Sequence, residues 1–468
     1  MSVPRLKLTA IRPDLLTLGL VAVVIAAFAL RIYRLNWDEG RLLHPDELHV
    51  VDVIATRISF DWPPDLDNLL DPASSRLNPR SDDPVTGVPR QYAYGALPLL
   101  VTDLIATAMQ SLTGEDWTSY FDRVYKVGRF LSATFDTGTV VLVFLLGKRL
   151  FDRRIGLLAG TLYALTPMMI QLAHFFTTDS WLTFFVALTL LMTARAADEG
   201  GRVAFALAGA AFGLALASKG SVIALAAVIA VAALLAGWHR WQIGESATSA
   251  AAFVMSRSTL AAFGALTSFA IFEPYALARP SVYLDQLRVQ SGIVRGAYDV
   301  AFTRQYVGTT PVQYQIEQLV KWGLGPVAGV SCLAGVIVLV RRSAIQPTAG
   351  RLVVVAWLLI QGFVVVSPET KFLRYTAPLL PALAIAGGLM LEAIRRFVSR
   401  RFGYRLAGGV LGAFLAVPVA ASLEIVLSRL QARETPVAQD PASLGAVDDE
   451  VADDMGRSLP DAANAAVD

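Results

Sequence analysis

Residues 41–52 read RLLHPDELHVVD and bring His44, Asp46, Glu47, His49 and Asp52 within nine positions. The chain has four histidines in all, so half of them stand in this stretch. A carboxylate placed here can act as general base toward a hydroxyl. His44, Asp46, His49 and Asp52 are also of the type that ligates Mn²⁺ or Zn²⁺, although their spacing matches no specific zinc pattern. The plain alternative is helix-start chemistry, because Pro45 fixes φ at a first helical position and acids suit the first turn. A second acidic point, Asp179, lies in HFFTTDS (174–180) beside His174. Its plain role is a helix N-cap. Cations recur as well: Lys219 in ASKGS (217–221), Lys371 and Arg374 in SPETKFLR (367–374), and Arg304 among five cations within 277–322. Singly, such residues lay their stems on apolar surface. Gathered on one face, they match a phosphate or diphosphate.

The elements that must position these residues are apolar. The chain is 55% hydrophobic and 17% charged, with a mean hydropathy of +0.53. Its repeated apolar runs are long enough to cross a hydrocarbon layer of about 30 Å. The expectation is an all-α polytopic membrane protein with about eleven spans, near 14–32, 125–147, 155–173, 180–195, 203–218, 221–237, 258–276, 323–340, 352–366, 375–394 and 406–427. The first run lacks a small-residue cleavage site and reads as a retained span. Sorting the loops by Lys and Arg puts residues 1–13 and the basic loops 148–154, 195–202, 238–257, 341–351 and 394–405 on the cytoplasmic side. Residues 33–124, 174–180, 277–322 and 367–374 then share the extracytoplasmic face. The apolar segment 95–112 carries Asp103 and reads as a helix at the outer interface rather than a crossing. Residues 14–430 form the membrane domain. Residues 431–468 read as an acidic disordered tail, with nine carboxylates and one arginine from Glu434 onward.

A single cysteine, Cys332, precludes a disulfide within the chain. No Walker loop, dinucleotide fingerprint or cysteine cluster is present, and no basic domain points to nucleic acid. Two acidic sites facing several cations suit transfer of a sugar from a phosphate leaving group. The alternative is a transporter or flippase of lipid-linked intermediates, which calls for mid-membrane ionisable groups and a repeat relating two halves.

The stretches HPDE (44–47), TTDSWLTFF (177–185) and KFLRYTAPLLP (371–381) resemble the motifs of phospholipid-carrier-dependent glycosyltransferases of the GT-C fold. The group is that of protein mannosyltransferases and aminoarabinose transferases, family 39-like. LNPR (77–80), YAYGALPL (92–99), VGRFLSATFDT (127–137) and TRQYVGTTPVQYQIEQLVKWGLG (303–325) are similar to a bacterial subgroup of it. The resemblance runs over about residues 14–430. It implies inverting transfer of one sugar from a polyprenyl-phosphate donor, in the plasma membrane at its extracytoplasmic face, to a protein, lipid or glycan acceptor. By resemblance, Asp46 or Glu47 is the base and Asp179 binds the acceptor or a metal. Lys219, Lys371, Arg374 and Arg304 hold the donor phosphate. No cofactor is required, with His44, Asp46 and His174 as the positions for a divalent cation. Many members of the group continue into a soluble outer domain where this chain has its acidic tail. The oligosaccharyltransferase WWD motif is absent, WDEG (37–40) being only an echo, so single-sugar transfer is favoured over en bloc transfer.

Overall fold

The computed structural model describes residues 14–60, 66–118, 123–403, 405–414 and 416. These belong to one compact unit, Met1–Val419; a second, Ala420–Asp468, lies outside the described residues. So do the cytoplasmic segment 1–13 and the acidic tail 431–468 read from the sequence.

The described chain is helical, and its only β-pairing is an isolated bridge between Asp82 and Pro89. In order the helices are α1 Leu15–Ile32, α2 Pro45–Arg57, α3 Leu66–Leu70, α4 Leu97–Thr113, α5 Val124–Leu150, α6 Arg153–Ala164, α7 Pro167–Ala173, α8 Thr178–Glu199 and α9 Arg202–Ser218. There follow α10 Leu225–Gln242, α11 Ala247–Phe272, α12 Pro274–Ala278, α13 Pro280–Val294, α14 Gln313–Gln318, α15 Pro326–Ile345, α16 Ala349–Val366 and α17 Leu380–Phe402. A 3₁₀ turn, Leu373–Leu379, leads into α17.

Eight of the described segments are long and apolar enough to cross a membrane, or nine if the bent pair α6–α7 is one span. The expected span at 203–218 is α9, an apolar helix of 17 residues. Of the expected span at 406–427, only the helix Arg405–Phe414 is described. The expected single span at 155–173 is broken: α6 and α7 meet at 59°. The cause is Thr166-Pro167, since a residue before proline leaves the α region and proline cannot donate to the preceding turn.

That break frees a carbonyl within the bundle, and Arg31 at the end of α1 takes it. Its Nη1 donates to Ala164 O at 3.0 Å and Ala27 O at 3.1 Å. Its Nε pairs with Asp136 Oδ2 at 2.5 Å, and the Tyr163 hydroxyl donates to the other Asp136 oxygen. All three side chains are buried. Charges away from water need this degree of pairing to persist.

Glycines set the spacing of the neighbouring pair α9–α11. A Cβ on Gly209 would lie 1.9 Å from Ala261 O, and one on Gly213 would lie 2.1 Å from Ser268 Oγ. This small-residue spacing lets two backbones touch, which is how helices associate where lipid removes the hydrophobic drive.

The basic loops converge at one end of the bundle. Arg149 pairs with Asp198 and Glu199, and Gly350 N–H donates to Asp198. Arg351 donates to Leu150 O, Arg257 to Gly200 O, and Arg153 pairs with Asp14 at the start of α1. The starts of α2, α5 and α8 and the end of α9 meet at the opposite end. The segment read as an interfacial helix is α4, which packs on α2, α5 and α9 with Asp103 buried.

Candidate active site

The acidic knot of residues 44–47 is the start of α2. His44 is its N-cap and Pro45 its first residue. The chain reaches His44 through three non-glycine residues in the left-handed region, Arg34, Glu39 and Leu42, with φ of 51°, 56° and 48°. Backbone of this kind persists only when its surroundings hold it. Here Arg129 of α5 is the clamp. Its guanidinium pairs with Asp38 at 2.7 Å and with both oxygens of Glu47 at 2.7 Å, and it donates to Leu35 O. Burial alone would raise the Asp38 carboxyl, but Arg129 and the Gly40 and Leu43 amides outweigh it and hold Asp38 below the usual range.

Glu47 is fully buried, and Oε1 also accepts from the Phe176 amide at 2.7 Å. Both of its oxygens are engaged. Of the two acids in HPDE, the one that stays within reach of a ligand is Asp46, whose side chain is 16% exposed. Asp46 pairs with Arg374 at 3.0 Å, and its charge acts on the Tyr94 phenol. Burial above all, then the negative charges of Asp46 and Asp179, pushes Tyr94 well above the usual phenol range, so it stays a donor.

The Asp46 amide donates to His44 Nδ1 at 3.2 Å. The ring proton therefore belongs on Nε2, which lies 3.3 Å from Arg374 Nη1. Burial pulls His44 below its usual value, against the pull of Asp46, and favours this neutral form.

Asp179 sits in the first turn of α8 and is buried. Its Oδ1 accepts from Lys219 Nζ at 2.9 Å, while Oδ2 is buried without a hydrogen-bond partner. Lys219 ends α9 in an extended conformation, and its ammonium lies 5.3 Å from the Tyr94 ring and 5.8 Å from the Tyr375 ring. The loop carrying Tyr94 is locked to the end of α9 at Gly95, whose amide donates to Ser218 O at 3.0 Å. A Cβ there would lie 1.8 Å from Ala217 O, so only glycine allows this approach. The charges of Asp46, Asp179 and Arg374 all act on His44 and on Tyr94.

The fold therefore brings Asp46, Asp179, Lys219 and Arg374 into one cluster with His44. Two of the expected phosphate ligands have partners of their own. Lys371 is 1% exposed and gives its ammonium to Glu369 O at 2.7 Å, with no carboxylate among the described residues in ion-pair range. Arg304 is exposed and bidentate to Asp299 at 2.9 Å. Of the candidate cation ligands, His174 is turned away. Both of its ring nitrogens lie against backbone carbonyls, Ile170 O at 2.7 Å and Tyr33 O at 2.9 Å. Among the described residues no group of three or more His, Cys, Asp or Glu side chains could hold a metal ion. Asp46 and Asp179 already have cationic partners in Arg374 and Lys219.

Tyr94, Tyr375, Asp38 and Arg129 had no role in the sequence reading. Their signal was present in YAYG, in the tyrosine after Arg374, in WDEG and in VGRF, but nothing in a linear sequence pairs residue 38 with residue 129.

Residues 117–256 match the family model described as dolichyl-phosphate-mannose-protein mannosyltransferase. The match contains Asp179 and Lys219 but neither Asp46 nor Arg374. No curated protein matches the chain. Among solved structures, the oligosaccharyltransferase AglB from Archaeoglobus fulgidus, in complex with an inhibitory peptide and a dolichol-phosphate, is 17% identical with a TM-score of 0.52. That likeness covers 88% of this chain and 54% of AglB, so the chain spans about half the length of that protein. ArnT from Cupriavidus metallidurans, bound to undecaprenyl phosphate, is 15% identical with a TM-score of 0.54, covering 89% of this chain and 72% of ArnT. The chain therefore shares its fold with AglB and ArnT, the fold of GT-C glycosyltransferases.

Proposed function

We propose that this protein is a membrane glycosyltransferase that moves a single sugar from a polyprenyl-phosphate donor to an acceptor hydroxyl or amine, with inversion. The supporting observation is the juxtaposition of Asp46 and Arg374, linked through Tyr94 and His44 to the Asp179–Lys219 pair. The solved structures named above hold lipid phosphates in the same fold.

In this reading the acceptor O–H or N–H gives its proton to Asp46. The acceptor atom then forms a bond to the anomeric carbon as the bond from that carbon to the phosphate oxygen breaks. The electron pair leaves with the polyprenyl phosphate, whose developing charge is met by Arg374, Lys219 and the His44 Nε2–H. Asp179, through its free Oδ2, orients the acceptor. Glu47 is a positioning residue that acts through Arg129, and Arg304 has no part. Lys371 is a further phosphate ligand when the donor is bound, because a buried ammonium with donors to spare favours an anion. Arg374 and Lys219 supply the counter-charge that a divalent cation would otherwise bring. The active face is extracytoplasmic and the acceptor is a protein, lipid or glycan.

The test is purified protein in nanodiscs, offered a panel of polyprenyl-phosphate sugars and, separately, sugar nucleotides. Release of free polyprenyl phosphate, with an inverted glycoside formed on the acceptor, is the expected result. Turnover of the sugar nucleotides alone would refute the donor class.

A further inference from the structure

A groove of about 700 Å³ opens where α1, the α5–α6 turn and the end of α17 meet. It lies at the end of the bundle away from Asp46: from Arg374 to Arg395 the chain climbs roughly 30 Å along α17 and its leading turn. Five guanidiniums line it, from Arg153, Arg154, Arg395, Arg396 and Arg400, against the carboxylates of Asp152 and Glu392. The carboxylates are already taken. Glu392 is buried and held by Arg395 at 2.7 Å and Arg396 at 2.6 Å, and Asp152 caps α6 through the Arg154 and Ile155 amides. Arg153 is engaged with Asp14 at 2.6 Å. Arg154 and Arg400 are exposed, and among the described residues neither side chain has an ion-pair or hydrogen-bond partner.

We propose that this groove binds the phosphate headgroup of an anionic phospholipid. Once Asp152, Glu392 and Asp14 are set against the five arginines, two net positive charges remain, on the uncommitted forks of Arg154 and Arg400, and they fit the paired oxygens of a phosphodiester. The wall toward lipid is α1, which lends Leu16 to the groove and leaves Leu15, Leu18, Val21 and Ile25 exposed. Acyl chains can lie along that apolar helix while the headgroup stays with the arginines. A soluble phosphate has no use for such a wall, so the lipid is the favoured source of the anion. Basic pockets between spanning helices hold anionic headgroups on this principle.

The experiment is native mass spectrometry of the full-length protein extracted from nanodiscs of phosphatidylcholine with 20% phosphatidylglycerol (~20%, for a leaflet of ordinary anionic content). The wild type should retain phosphatidylglycerol in preference to phosphatidylcholine. Arg154→Gln should weaken that retention about fivefold, and Arg154→Gln with Arg400→Gln about thirtyfold. Both residues are exposed, so the variants fold, and unchanged thermal unfolding confirms it. Equal retention of the two lipids by the wild type, or unchanged retention by the double variant, would overturn the proposal. So would displacement of the lipid by millimolar inorganic phosphate, since the site would then be one for the free anion. None of these outcomes depends on glycosyl transfer.

Discussion

Asp46 and Glu47 are neighbours in sequence and opposites in role. Successive residues in the first turn of a helix point about 100° apart, and the partner each meets is set by distant chain. Glu47 meets Arg129, with both oxygens engaged and none exposed. Glu47→Gln leaves part of a buried guanidinium charge without its partner, so the expected loss is about 3 kcal/mol or more of stability, read as an earlier thermal transition in detergent. The histidines nearby carry a pH signature. Burial, before any charge, pulls His44 and His49 below the ordinary value of 6.5. Each is neutral in the folded protein, whereas the unfolded chain takes up the proton more readily. Stability is therefore full above about pH 6.5 and declines as the pH falls through the folded values. A plot of melting temperature against pH from 7.5 to 5 should slope downward toward acid, and His44→Asn should flatten part of that slope. The sequence made Asp46, Asp179, Lys219 and Arg374 legible because each stands at the end of an apolar run on the same side. It could not separate Arg304, whose partner Asp299 is a local contact on an exposed loop, from cations that turn inward.

At the scale of elements, the site depends on contacts between loops and helix ends. The YAYG loop reaches the end of α9 only because residue 95 is glycine. Gly95→Ala places a methyl group against Ala217 O and lifts Tyr94 away from Asp46 and Lys219. A displacement of about 1 Å at that contact lowers turnover roughly a hundredfold, measurable as kcat with the donor saturating and the fold intact. Hydropathy made the long helices readable, yet it ran two pieces together at 155–173. The Thr166-Pro167 signal for the break was present, but its compensation by Arg31 and Asp136 spans more than a hundred residues. No local pattern records such a pairing.

At the scale of the whole molecule, among the described residues, the basic loops 148–154, 195–202 and 341–351 gather at one end, and the Asp46–Arg374 and Asp179–Lys219 pairs at the other. That segregation was readable from the order of Lys and Arg along the chain, because a span of fixed length forces alternate loops to opposite faces. A reporter fused after Arg76 should therefore be extracytoplasmic and one after Arg154 cytoplasmic; the reverse would invert the assigned faces. The proposed reaction rests on one carboxylate. The most direct test is the rate of sugar transfer from a polyprenyl-phosphate donor by Asp46→Asn, with its thermal transition showing the protein folded. A general base contributes about 10²–10⁴-fold, so the account predicts a loss of at least a hundredfold in kcat. A rate within twofold of the wild type would contradict it.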